Sequence, residues 1–419
     1  MPARHIAQFN PFRGTQSGAV LFVMLVILVI GAAALLVSAL NSSSVKNARD
    51  QTTVDALAKA KEALISYAVI YGDRHSGYAS GYLPCPDPNG TGSGITKEGS
   101  SETCTGTNIS TLGRLPWKTL GLQPLLDGNG ECLWYAVSGT YQNNPSTGNL
   151  MNWDNNGLFQ ILSSSSVILA GQTADSYAVA AIFSPGVVLG GQSQNRSPDG
   201  SAPLCGGNYT ATNYLDRDTA IGANNATPST VALAISQFFA AGATANINDQ
   251  IIYITKSDIF NAIKKRNDFG TATVAALLNA SKACNPAHPA TLNFNLSPPQ
   301  ETIPSGLFVG VGSNRLEIGR VPKSCLAAPL NNWQDNLLFA TCTSGSCLTV
   351  NGAVCNGIIV FTGEKNASQM RIINADKNNW SNYLEGSTLS VFQGTATSIP
   401  SAALSYTSAA PSTDIVVCL

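Results

Sequence analysis

The order of apolar and polar positions divides this chain into three textures. Residues 1–18 are short, polar and basic, with Arg4, His5 and Arg13, and read as a leader rather than a domain. Ala19 to Leu40 then run for 22 residues without a charge, AVLFVMLVILVIGAAALLVSAL. As helix this run would measure about 33 Å, enough to cross a bilayer core. The basic leader predicts an N-terminus kept inside and a remainder sent outward. From 41 to 79 the pattern becomes amphipathic. Leu57, Ala60, Leu64, Ala68 and Tyr71 recur at helical spacing, as do Val54, Ala58 and Ile65. No proline or glycine stands between Ala32 and Tyr71, which predicts one long helix. Gly31 is its weak point, because glycine costs about 1 kcal/mol inside a helix.

From Gly72 onward the texture is glycine, proline and short β-prone runs. LWYAVSG (133–139), SYAVAAIFSPG (176–186) and DQIIYIT (249–255) are predicted strands. Between Lys256 and Cys284 the pattern is helical again. The segment 285–306 carries five prolines and reads as a linker, beyond which β-like runs resume.

Four short segments recur in the same order. Leu112-Gly113-Arg114-Leu115-Pro116 is echoed by Ile318-Gly319-Arg320-Val321-Pro322. Leu133-Trp134-Tyr135-Ala136 is echoed by Leu337-Leu338-Phe339-Ala340, and AIFSPG (181–186) by IVFTG (359–363). Asn213-Tyr214-Leu215-Asp216 matches Asn382-Tyr383-Leu384-Glu385. The expected fold is therefore α+β: a long N-terminal helix, membrane half plus amphipathic half, carrying a β-rich two-module head with disulfides. The expected divisions are a leader 1–18, a transmembrane and assembly helix 19–40, its amphipathic continuation 41–79, a first module 80–284 and a second 285–419.

Composition narrows the function classes. Only 11% of the 419 residues are charged and the net charge is −1, which argues against nucleic acid, whose phosphates need clustered Lys and Arg. With 44% hydrophobic residues the chain is not of disordered composition. All ten cysteines follow the apolar run, and their even number predicts disulfides and an oxidising compartment. Cys85 with Cys104 and Cys132 with Cys205 are the expected staples, and Cys342, Cys347 and Cys355 crowd one region where a local bridge is expected. C-x-x-C is absent, which disfavours redox and zinc roles.

A short basic leader ending in Gly18, an uncharged run, an amphipathic continuation and a β-rich head resemble the type IV pilin-like proteins. That family includes pilus subunits and type II secretion pseudopilins. The segments GYLPCPD (81–87), GRLPWKTLGL (113–122) and LWYAVSG look like those of its large members. The resemblance implies cleavage between Gly18 and Ala19 by a prepilin peptidase, with methylation of the new N-terminus. It implies other pilin-like subunits and inner-membrane assembly machinery as partners. It also implies a single-pass inner-membrane location, with the head in the periplasm or at an extracellular filament tip. Two departures stand out. Thr15, Gln16 and Ser17 separate Arg13 from the glycine, and the fifth residue of the mature chain, usually glutamate, is Val23. Members lacking that glutamate resemble tip-located minor subunits, because a tip subunit has no neighbouring ammonium to neutralise. The competing readings are a signal-anchored adhesin or receptor head outside any filament, and a secretory signal cleaved after Val37-Ser38-Ala39.

Catalytic patterns are sparse, and no enzyme is expected. The histidines are His5, His75 and His288, without metal-ligand spacing, and neither a G-x-S-x-G elbow nor a Walker loop occurs. Two acidic turns, Asp87-Pro88-Asn89-Gly90 and Asp127-Gly128-Asn129-Gly130-Glu131, place oxygen ligands two residues apart, as a calcium loop would. Asp-Gly and Asn-Gly pairs are also ordinary turn formers. No other cofactor is expected. Asn152-Trp153, Asn332-Trp333 and Asn379-Trp380 would suit sugar stacking if exposed, and core packing if not.

Overall fold

The computed structural model describes residues 17–88, 97–101, 104, 106–143, 150–164, 167–284, 307–311, 314–322, 325–407 and 414–419, with the side chains of 17–21, 23, 31–43, 307–308, 311, 314 and 374 outside that description. Most of the leader, Asn89 and the proline-rich segment 285–306 therefore lie outside the described residues. The chain forms two compact units, Met1–Thr52 and Thr53–Leu419, and helix α1 (Ser17–Arg74) contributes to both.

In the first unit, α1 runs without interruption through the backbone of Gly18, Ala19, Val23 and Gly31. Phe22 and Met24 to Ile30 are its described large apolar side chains before Val45, and all are exposed. Among the described residues no helix is long and apolar enough to cross a membrane. This corrects the expected membrane half of the fold. It also removes the support for what was built on that half: the processed pilus or pseudopilus subunit, the membrane-anchored adhesin, the pilin-like and assembly-machinery partners, and the single-pass inner-membrane placement with a periplasmic or filament-tip head.

In the second unit, the last turns of α1 bury Leu57, Ala60, Leu64, Ala68 and Tyr71, the stripe predicted from spacing. Of the second stripe, Val54 is 53% exposed and Ala58 is exposed, while Ile65 packs partly buried against the core. The first sheet holds β1 (Thr111–Arg114), β2 (Trp134–Val137), β3 (Phe159–Ser164), β4 (Val167–Ala170) and β5 (Ala178–Ser184). A two-stranded ribbon, β6 (Arg217–Asp218) with β7 (Ala223–Asn224), precedes β8 (Ser236–Phe239) and β9 (Gln250–Thr255), which rejoin the sheet beside β3 and β5. Thr255 then caps α2 (Lys256–Lys264) reciprocally with Asp258. A π-helical stretch (Phe269–Ala275) leads into α3 (Ala276–Cys284), so the second predicted helix starts with widened turns.

The second sheet is β10 (Leu307–Val311), β11 (Asn314–Arg320), β12 (Leu337–Cys342), β15 (Gly357–Phe361) and β17 (Ile415–Cys418), in that order. Between them come β13 (Leu348–Val350) and β14 (Ala353–Cys355), the short helices α4 (Asn374–Lys377) and α5 (Gly386–Phe392), and β16 (Ser398–Ile399).

The repeated segments occupy equivalent places in the two sheets. Leu112 pairs with Ala136 and Arg114 with Trp134, as Ile318 pairs with Ala340 and Arg320 with Leu338. The likeness extends to strands in which no repeat is visible. The antiparallel hairpin β3–β4 corresponds to β13–β14, and the parallel pair β3–β8 to β13–β16. One match shifts: Trp134 faces Phe183 whereas Leu338 faces Val360, so Phe183 and Phe361 are not equivalent although Gly186 and Gly363 are. Gly113 and Gly319 are small for local reasons. A Cβ would lie 2.4 Å from the Asp87 carbonyl oxygen in the first and 2.7 Å from the Phe339 ring in the second.

Alternation along the strands separates the cores. Tyr135, Val137 and Ile182 of the first sheet join Leu337, Ile359 and Phe361 of the second, with α1, α2 and α3, in one shared core. Trp134, Ala136 and Phe183 turn to a core of their own, as do Leu338, Ala340 and Val360.

Candidate functional site

Each sheet carries the same buried polar node. In the first, the Arg196 guanidinium donates from Nε to the Asn213 carbonyl (3.0 Å), from Nη1 to the Gly186 carbonyl (2.7 Å) and from Nη2 to Gln194 Oε1 (3.1 Å). In the second, Arg371 donates to the Asn382 carbonyl (2.6 Å), the Gly363 carbonyl (3.1 Å) and Gln369 Oε1 (3.4 Å). Arg114 and Arg196 lie 4.9 and 5.1 Å from the Tyr214 ring, and Arg320 and Arg371 lie 4.9 and 4.3 Å from that of Tyr383. A carboxyl pair completes each node. Gln194 donates to Asp216 and Gln369 to Glu385, while the backbone N–H groups of Asp216 and Glu385 donate to Asp249 and Asp414. Burial pushes the carboxyls of Asp249 and Asp414 well above the ordinary range, and their neighbours Asp216 and Glu385 add to it.

The nodes differ in one respect that sets an expected result. Arg320 meets Asp335 at 2.8 Å, with Lys377 on the other carboxylate oxygen. Arg114 makes no salt bridge among the described residues; it donates to the Gly206 and Asn208 carbonyls and faces three aromatic rings. Arg320→Met should cost about 3–5 kcal/mol, because it strands most of a buried carboxylate's neutralisation. Arg114→Met should cost less, and urea midpoints of the two variants check the order.

The two sheets meet on aromatic rings. Trp153 and Trp333, from two of the Asn-Trp pairs, are both buried and stack edge-to-face at 4.6 Å. Asn152 donates to the Asn332 carbonyl (2.8 Å), and the Met151 N–H to Asn332 Oδ1 (2.9 Å). These two tryptophans therefore pack against one another and offer no face to a sugar. Trp380 is half-buried against the second sheet's own core. Beside the junction opens a cleft of about 250 Å³ lined by Trp153, Phe260 and ion-paired groups. Asp175 bridges Lys256 (3.0 Å) and Lys365, and Glu364 meets Lys264 at 2.6 Å. Burial alone would raise the Asp175 carboxyl, but hydrogen bonds from Lys365 and Lys256 outweigh it and hold it low.

Three of the candidate calcium ligands, Asp87, Asp127 and Glu131, face protein donors. Asp87 Oδ2 accepts from the Gly99 N–H (2.7 Å) and the Tyr209 hydroxyl (2.6 Å). Asp127 Oδ1 accepts from the N–H groups of Asn129 and Glu131, its Oδ2 from Ser184 and Gly186, and Glu131 pairs with Arg196. The 127–131 loop is a turn closed by its own carboxylate. Among the described residues, no group of three or more His, Cys, Asp or Glu could hold a metal ion. His75 stacks on Tyr71 at 4.0 Å, and His288 lies outside the described residues.

The ten cysteines form five disulfides. Cys85–Cys104 and Cys132–Cys205 are the pairings read from the sequence, and Cys342–Cys347 is the local bridge. Cys355 reaches instead to Cys418, and Cys284 to Cys325. The node residues Gln194, Arg196, Gln369 and Arg371 escaped sequence reading, although a Gln-x-Arg stands ahead of each Asn-Tyr-Leu.

A second concave surface carries no charge. A groove of about 500 Å³ runs between the β6–β7 ribbon and strands β3 and β8, lined by Gln160, Tyr177, Asn224, Thr227, Ser229 and Gln237 among others. No family model, no curated protein and no solved structure matches this chain, which leaves the pilin-like resemblance resting on the segments quoted above.

Proposed function

We propose that the Thr53–Leu419 unit is a non-catalytic binding module that works in an oxidising compartment. The uncharged groove is the observation that carries this reading. Its lining includes no carboxylate, imidazole, amine or thiol, the groups that move protons near neutral pH. The ionisable groups of the nodes are engaged in holding strands and loops together, which supports a scaffold role for them. Five disulfides and no free cysteine support exposure to an oxidising environment, where such bonds form and persist. Each staple is expected to contribute about 2–4 kcal/mol, chiefly by restricting the unfolded chain.

The test is a thiol count on protein isolated from its native cell, denatured and alkylated without reduction. All ten cysteines should remain unalkylated by intact mass. Alkylation at a pair of sites in most molecules would place the protein in a reducing compartment and overturn the reading.

A further inference from the structure

The uncharged groove points to a ligand class, and this inference rests on the binding-module reading. We propose that the groove takes a neutral oligosaccharide. With no Lys or Arg in its lining, a polyanion gains nothing there; with no Asp or Glu, neither does a cation. What the lining offers is amides and hydroxyls, which donate and accept at once, as sugar hydroxyls do. These groups are held in place. Gln237 Nε2 donates to Gln160 Oε1 (2.7 Å), and Gln160 Nε2 to the Gly171 carbonyl (2.9 Å), a relay that fixes both amides. The Ser229 N–H donates to Ser236 Oγ (2.9 Å), which pins the loop at the groove's rim. Flat apolar area comes from Tyr177, whose ring occupies the space above Gly171, where a Cβ would lie 2.7 Å from it. Ile235 adds to the wall and is 48% exposed.

Two further observations single out this place. The repeat supplies an internal comparison: between its Asn-Tyr-Leu segment and its parallel strand, β16 of a separate three-stranded sheet with β13 and β14, the second copy has α5, where the first has the β6–β7 ribbon. The ribbon is therefore not required by the shared architecture, and it forms one bank of the groove. Beyond Ile235, Val231 and Leu233 are also exposed, at 66% and 56%. Leu233 sits at φ +60°, a left-handed conformation that a bulky residue adopts at a cost, and its N–H is tied to the Asn108 carbonyl at 2.9 Å. Exposed apolar side chains beside a fixed polar groove suit a ligand with alternating hydroxyl and C–H faces.

The experiment is calorimetric titration of the full chain with three probes: maltohexaose, cellohexaose and the hexamer of N-acetylglucosamine. At least one should bind, and Gln237→Ala and Asn224→Ala should each weaken it tenfold or more. Lys365→Ala, in the charged cleft, should leave binding unchanged. Absence of binding by all three probes, or binding indifferent to both groove variants, overturns the proposal. A protein whose ten cysteines are all bonded but which binds none of the sugars loses this inference alone; free thiols in native material sink the broader reading.

Discussion

Trp333→Ala is expected to destabilise the Thr53–Leu419 unit by about 3–5 kcal/mol, the range for emptying a buried tryptophan site. The ring stands edge-on to Trp153 at 4.6 Å and to Phe269 at 5.7 Å, with Phe361 at 6.0 Å and Phe260 at 6.3 Å. Those partners come from the loop ahead of β3, from β15 and from the helical layer, so the space cannot be refilled by one neighbour. Trp380→Ala serves as comparison, since that ring is only partly buried. Urea unfolding followed by far-ultraviolet circular dichroism measures both. A Trp333→Ala loss below about 1 kcal/mol would mean the junction relaxes freely, contrary to close packing.

The second large effect concerns acidity. The Asp249 side chain is fully buried beside Asp216, and Asp414 lies beside Glu385. A carboxyl whose folded pKa is raised binds its proton more tightly folded than unfolded. Stability is then fullest below the unfolded value, about 4, and falls as pH climbs toward the folded value. Arg196 and Arg371 oppose this rise without cancelling it. Asp249→Asn keeps an oxygen for the Asp216 N–H and the Asn225 amide, both 2.8 Å from Asp249 Oδ2, and removes the titration. The variant should gain on the native protein between pH 5 and pH 8, as thermal midpoints at the two pH values would show. A parallel pH dependence in both proteins would argue that Asp249 ionises normally.

How much of this was legible in the residues depends on how local each signal is. Spacing placed the buried face of α1, because Leu57, Ala60, Leu64, Ala68 and Tyr71 need only a helix and one apolar neighbour. The Gly-Arg and Asn-Tyr-Leu echoes marked the two sheets, since both the strand and the node depend on them. The parallel pairs β3–β8 and β13–β16 left no echo: a short buried strand accepts Phe-Gln-Ile-Leu as readily as Leu-Thr-Val. Arg196 and Arg371 were missed because an arginine in a polar loop looks solvated until its carbonyl partners are known. Cys355 suffered from proximity. Its neighbour in the chain is Cys347, yet antiparallel pairing of β15 with β17 carries the last strand past it. The uncharged groove was invisible because Gln, Asn, Thr and Ser recur all along the chain, and only folding gathers six of them around one depression.

The bond from Cys284 at the end of α3 to Cys325 ahead of β12 spans 41 positions and encloses the proline-rich segment. The halves on either side are thus joined by two independent covalent routes. A single backbone scission anywhere between them leaves one molecule, and only a reductant can release the pieces.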